Sequence, residues 1–331
     1  MQPSLVAPPA SDAGPELLVD WLELVAFFDV YKRARVDEIT GSLKTQEETP
    51  SEDFGEADRD DDAIREAIET EVSTRKKALK EAYPFDLDHL GQELQLLQSI
   101  DTPRAAFYLL CLIASHVTKS PILREPPNDN MVCEMRNRVF QVLGTLAVAG
   151  FVQGPAVSVG YPRETKESIL GVLARAEKWG IGMIARDKPG VHAIPQAKDG
   201  GVDVIGWPQA DRPPPPHVYF GQLASGNNWR GKPANLEYDN FMDDFFDGRG
   251  GAQHNFVTLI PFRIIDALTF ERESKLHKAI LDRHRAPFHA LRALELVASG
   301  VDMDEAGNLG QIVAWLDNYR AVALRERFVA P

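Results

Sequence analysis

Lys198–Lys232 reads KDGGVDVIGWPQADRPPPPHVYFGQLASGNNWRGK, and the reading of this stretch decides the fold. Two runs rich in β-branched and aromatic residues, Val202–Trp207 and His217–Leu223, predict a hairpin of two strands. Pro208 and Pro213–Pro216 punctuate the loop between them, because proline has no N–H to give to a ladder. Asp203 falls on the first strand and Gln222 ends the second, with lysines flanking both ends. Their neighbours are apolar, and an unpaired polar group among apolar ones is costly. A divalent cation is the expected occupant, since Mg²⁺ takes hard oxygen ligands and needs few of them from protein.

The order Gly-Gly-Val-Asp-Val, a loop, then an apolar strand ending in Gln resembles the PD-(D/E)xK nuclease superfamily, and within it Mrr-type restriction endonucleases. That resemblance covers roughly residues 125–290. It implies a restriction-endonuclease-like core with a central mixed sheet. A helix would carry a glutamate, one strand the aspartate, and the next strand Glu or Gln followed by x-Lys. Asp203 matches the aspartate and Gln222 the Gln, but the lysine position holds Ala224. The longer pattern, KDGGVDVIGW then GQLASGNNWRGK, also resembles uncharacterised bacterial proteins of this superfamily associated with defence against phage. The implied activity is Mg²⁺- or Mn²⁺-dependent cleavage of DNA, with Asp203, the Gln222 side chain and the Leu223 carbonyl as metal ligands. The helix glutamate is expected to be Glu134, with Glu164 and Glu167 as alternatives. Lys232, on a loop made pliable by Gly226 and Gly231, is the candidate replacement for the missing lysine, and Arg230 the competing cation. If neither reaches the metal, the alternative is a nuclease fold kept as a non-catalytic scaffold.

Composition frames these expectations. The chain of 331 residues has room for two domains and a substantial core. Its net charge of −13 is uneven: residues 1–150 carry 15 basic and 27 acidic residues, the remainder 21 and 22. A near-neutral second half can still present a local basic groove, whereas tight non-specific DNA binding is not expected. Two cysteines, Cys111 and Cys133, without CxxC spacing argue against a disulfide framework and structural zinc, and for a reducing cytoplasm. The start, MQPSLVAPPASDAGPE, has no basic region followed by an apolar run, so no signal peptide is expected. The apolar stretch Ala105–Val117 is too short for a membrane span.

Along the chain, residues 1–15 read as a disordered Pro/Ala/Ser-rich start, and 17–29, 63–82, about 88–99 and 104–118 as helices of an acidic helical domain, 1–124. The acidic run at 45–62 reads as a solvated loop leading into a helix, or as a nucleic-acid mimic or an acidic tail docking a protein partner of a defence complex. The second domain, 125–331, is expected to have helices at 131–149, 164–179 and 307–327, and strands at 156–160, within the central hairpin, and at 256–261. Ser274–His284 combines a helix with a short strand ending at Leu281. The class is α+β.

Three further patterns are weaker. Gly226–Lys232 fits GxxxxGK, but Pro233 replaces the hydroxyl residue that a phosphate-binding loop needs. His277, His284 and His289 read as core or surface histidines, while Arg283 and Arg285 are candidate phosphate contacts. Ser225 lacks a nucleophile elbow, so a serine hydrolase is not supported.

Overall fold

The computed structural model describes residues 6, 9, 13–39, 54–117, 120–124, 126–163, 167–191, 193 and 200–329, with side chains from 61 in the second helix and to 324 in the last. The expected disordered start falls largely outside these residues, as does the acidic run expected as a loop at 45–62 up to residue 53, whereas 54–62 are helical and overturn the loop reading there. Contacts divide the chain into one unit of Met1–Asp129 with Leu316–Pro331, and a second of Asn130–Trp315.

The first unit is built on α1 (Pro15–Phe28), α2 (Phe54–Leu79) and α3 (Pro103–His116). Proline opens α1 and α3, where a missing N–H costs nothing, and Thr102 caps α3. The expectation of a helix at 88–99 is overturned. β1 (Arg33–Arg35), β2 (Phe85–Leu87) and β3 (Glu93–Leu96) form a three-stranded antiparallel sheet in the order β1-β3-β2. Leu94 and Leu96 alternate with polar neighbours, which is a strand period, and Gly91 at φ +65° makes the turn.

Inside this unit lies a charge network. Arg75, fully buried, meets Asp20 at 2.7 Å, Glu23 at 2.9 Å and Glu71 at 2.6 Å. Glu23 also accepts from the hydroxyls of Tyr83 and Tyr108, and His116 pairs with Asp20 at 2.9 Å. Burial disfavours the charged guanidinium, but Glu23 and Asp20 outweigh it and Arg75 stays protonated.

The second unit holds a five-stranded mixed sheet in the order β4-β5-β6-β7-β8. β4 (Ala156–Ser158), β5 (Val204–Gly206) and β6 (His217–Leu223) are antiparallel neighbours, while β7 (Gln253–Leu259) and β8 (Ala279–Leu281) continue parallel to β6. Its helices are α4 (Asp129–Glu134), α5 (Phe140–Val152), α6 (Ile169–Lys178), α7 (Tyr238–Phe245), α8 (Ala267–His277), α9 (Ala286–Ala298) and the start of α10 (Leu309–Val329), which from Leu316 on belongs to the first unit. A π-helical turn, Met135–Val139, joins α4 to α5.

α5 is apolar nearly all round, and is buried accordingly. A Cβ on Gly150 would strike the His289 carbonyl of α9, and one on Gly144 the Leu223 side chain of β6. These two glycines let α5 lie tightly between sheet and helix. The opposite face packs Ile205, Trp207, Val218 and Phe220 against Leu173 of α6 and Phe241 and Phe245 of α7. Each such buried side chain contributes roughly 1.5–3 kcal/mol.

Two predictions follow from burial. Arg75→Met leaves three carboxylates without their cation and lowers stability by about 3–5 kcal/mol in urea denaturation, while Arg33→Ala, which breaks an exposed pair with Glu93, changes it by less than about 1 kcal/mol. Burial also holds His254, His277 and His289 below the usual imidazole range. A depressed folded pKa favours folding while the ring is neutral. That contribution is lost as pH falls below about 6.5, because the unfolded chain takes up the protons first. Urea midpoints are expected to be lower at pH 5.5 than at pH 7.5.

Candidate functional site

The candidate site lies where the antiparallel and parallel halves of the sheet meet. Gly200 and Gly201, at φ +60° and +79°, turn the chain into β5; a Cβ at Gly200 would come within 2.9 Å of the rings of Phe241 and Phe245, and one at Gly201 within 2.6 Å of Glu237. Only glycine satisfies both the dihedral and the space. Asp203 follows two residues after Gly201.

Its backbone is fully engaged. The Asp203 N–H donates to the Gly221 carbonyl at 2.9 Å, and its carbonyl accepts from Val159 N at 2.8 Å, Gly160 N at 2.9 Å and the Gln141 amide at 2.7 Å. Its carboxylate accepts the Leu223 N–H at 2.8 Å and the Gln222 side-chain amide. Register explains the meeting: Val204 lies opposite Gly221, so the next residues outward are Asp203 and Gln222. Strand alternation then puts Gln222 on the face of Val218 and Phe220. Both residues are half-buried.

The structure therefore brings together Asp203, Gln222 and Leu223, although it is the Leu223 N–H that faces the carboxylate. It does not bring Glu134 to them. Glu134 is exposed, and its side chain makes no hydrogen bond among the described residues. The helical residue that reaches Asp203 is Gln141, seven positions and about 10 Å of rise further on. Glu164 lies outside the described residues. Glu167 is ion-paired to Arg175.

Gln141 was not anticipated, nor was the support behind it. Its amide also donates to Ser158 Oγ at 3.0 Å, and the Ser158 N–H donates to Asp304 at 2.8 Å. Arg175 bonds Asp304 at 2.8 Å as well as Glu167. Burial pushes the Asp304 carboxyl up while Arg175 and the Ser158 N–H pull it down, with a net rise. One signal was available: an amide in the apolar helix FQVLGTLAVAGFV must find a partner.

The position of the missing lysine is closed. Ala224 is 4% exposed and sits in an apolar cluster with Trp229, Ile260 and Ile280. Lys232 is exposed, and its side chain makes no hydrogen bond or ion pair among the described residues. Arg230, also exposed, bonds Glu273 at 3.0 Å and lies over the Trp229 ring at 4.7 Å. Arg283 is only 3% exposed, which takes it out of reach of a phosphate arriving from solvent. Arg285 is half-exposed, pairs with Asp282 at 2.8 Å and covers Phe270. The three histidines form no metal cluster among the described residues. His277 bonds Thr258 and packs on Trp229, and His289 packs on Phe151.

No protein-family model matches the chain, and no curated protein or solved structure matches it. No helix among the described residues is long and apolar enough to cross a membrane.

Ala224→Lys is expected to destabilise the chain by about 2 kcal/mol or more instead of restoring a site, because its stem would overpack the Trp229 cluster and its charge would be buried unpaired. Urea denaturation checks the stability, and a cleavage assay the activity.

Proposed function

We infer that this chain is a divalent-metal-dependent nuclease that hydrolyses DNA phosphodiester bonds, as a component of a bacterial antiviral defence system. The observation that carries the reading is the meeting of Asp203 and Gln222 at the end of adjacent strands, behind a helix that reaches the same point through Gln141. Helix, aspartate strand and glutamine strand occur in the order that the resemblance to PD-(D/E)xK nucleases implies. The defence role rests on the longer sequence pattern alone.

The donor set fits Mg²⁺ or Mn²⁺ in a minimal way. Asp203 offers a carboxylate, Gln222 an amide oxygen once its plane is turned, and Leu223 a backbone carbonyl. Mg²⁺ is commonly held by one or two carboxylates, with waters and substrate phosphates completing its shell. When bound, such an ion polarises a phosphate and lowers the pKa of a water. The chain's own part is positional. Gln141 and the loop amides of Val159 and Gly160 fix the Asp203 peptide, and Asp304, held by Arg175, fixes the strand that supplies Ser158. Lys232 is the lysine left to meet a phosphate from the solvent side.

A second reading is favoured by a specific observation. Three positions that would carry charge in an active site hold Gln141, Gln222 and the sealed Ala224, which leaves Asp203 as the sole anionic group contributed by these positions. Under that reading the fold binds nucleic acid or a partner without cutting, and the acidic first half supplies the docking surface.

Plasmid cleavage with Mg²⁺ or Mn²⁺ separates the two. The expected result is cleavage by wild type, a loss of roughly 100-fold or more in Asp203→Ala, and a smaller loss in Lys232→Ala. Intact folding with no cleavage by wild type, alone or with the products of neighbouring genes, would establish the second reading.

A further inference from the structure

The loops leaving β6 and β7 line an open cavity of about 350 Å³. Asn227, Trp229 and Arg230 come from the first loop, Phe262 and Arg263 from the second, and Asp266 from the start of α8. β6 and β7 are parallel, with Gln222 beside Thr258 and Leu223 beside Leu259, so both loops emerge at the end of the sheet that carries Gln222. Ligands of open sheets gather at such strand ends, where the loops diverge.

The walls have a definite chemistry. Arg230 is fixed from two directions, by its Nε bond to Glu273 and by its plane over Trp229, and its Nη groups make no hydrogen bond among the described residues. Glu273 is itself secured: burial works against its charge, but the Arg230 and Arg272 guanidinium bonds outweigh it and hold the carboxyl below the usual range. A guanidinium held flat is a stacking platform for a nucleobase as well as a phosphate donor. Arg263 adds a second cation. Asp266 caps α8, accepting the Thr269 N–H at 2.6 Å, the Thr269 hydroxyl and the Leu268 N–H, and a carboxylate with about four lone-pair sites can accept once more. Two cations beside one carboxylate suit a ligand that is anionic at one end and carries N–H or O–H donors at the other. The volume is at the lower end of small-ligand sites, roughly 300–1,000 Å³, and admits one nucleotide but no base pair.

We propose that this cavity is a nucleotide subsite, which takes one unstacked nucleotide of a single strand with its phosphate on Arg230 and Arg263 and its base edge on Asp266. The inference deepens the nuclease reading and rests on it for the strand's approach to Asp203. It differs from a phosphate-binding loop, because the cavity is built by Arg230 and Arg263 and makes no use of Gly231 or Lys232.

The test is calorimetric titration of the full chain, without divalent metal, with a short single-stranded oligodeoxynucleotide, the matching duplex, dAMP, dCMP and inorganic phosphate. The single strand is expected to bind at least about tenfold more tightly than the duplex, the nucleotides weakly, and phosphate alone more weakly still. Arg263→Ala is expected to weaken strand binding about tenfold, and so, should that variant not fold, is Asn227→Ala at an exposed position. Equal binding of strand and duplex, or strand binding untouched by these variants, would overturn the subsite. Mononucleotide binding without strand binding would do so too, and would assign the cavity to a free nucleotide. Plasmid cleavage is read separately: absent cleavage with intact, variant-sensitive strand binding would defeat hydrolysis and keep the subsite.

Discussion

Everything at the candidate site hangs on the Asp203 peptide. β5 is only three residues long, too short to hold a functional side chain by ladder bonds alone. The structure compensates by using Asp203 as a knot. Its N–H ties β6, its carbonyl gathers two amides from the segment after β4 and the Gln141 amide from α5, and its carboxylate takes the Leu223 N–H. Charge-assisted and amide bonds of this kind contribute about 1–3 kcal/mol each when broken in a buried setting. The direction of the carboxylate is therefore a property of three elements at once. This is how a polar residue is kept in order at the border of two apolar clusters.

Much of the second unit was legible because its strands announce themselves. Prolines 213–216 mark the hairpin loop, and the apolar runs on either side have the length of buried strands. The register, and with it the meeting of Asp203 and Gln222, follows once both strand ends are set. The helix around Tyr238–Phe245 carries a readable spacing in Tyr238, Phe241, Met242 and Phe245, yet aspartates within and after it obscure the pattern. In the first unit, 88–99 read as a helix because leucines crowd it; the positive φ of Gly91 decided otherwise, and a dihedral is not written in composition. The site was legible in its strand-borne half and illegible in its helix-borne half. Glu134 is charged and draws the eye, whereas Gln141 is neutral, buried and matters through where the helix ends up. Asp304 could not be inferred at all, since nothing local links it to Ser158.

The two units solve the burial of charge differently. In the first, Arg75 gathers three carboxylates at full burial, with tyrosines completing the bonds. Such a network is weak evidence for stability, because desolvation offsets most of the attraction. In the second, carboxylates are paired one by one: Arg175 bonds Asp304, and Arg138 takes the adjacent Glu305 through two bonds at 2.7 and 2.6 Å.

The bond from Ser158 to Asp304 spans 146 residues. During synthesis the strands that carry Asp203 and Gln222 are made first, and the prop beneath them is missing until residue 304 has been added. A partial chain thus holds every residue of the strand-borne site without the support that orders it. Ordering of the site by this prop waits on residue 304, a built-in delay set by where one aspartate falls in the sequence.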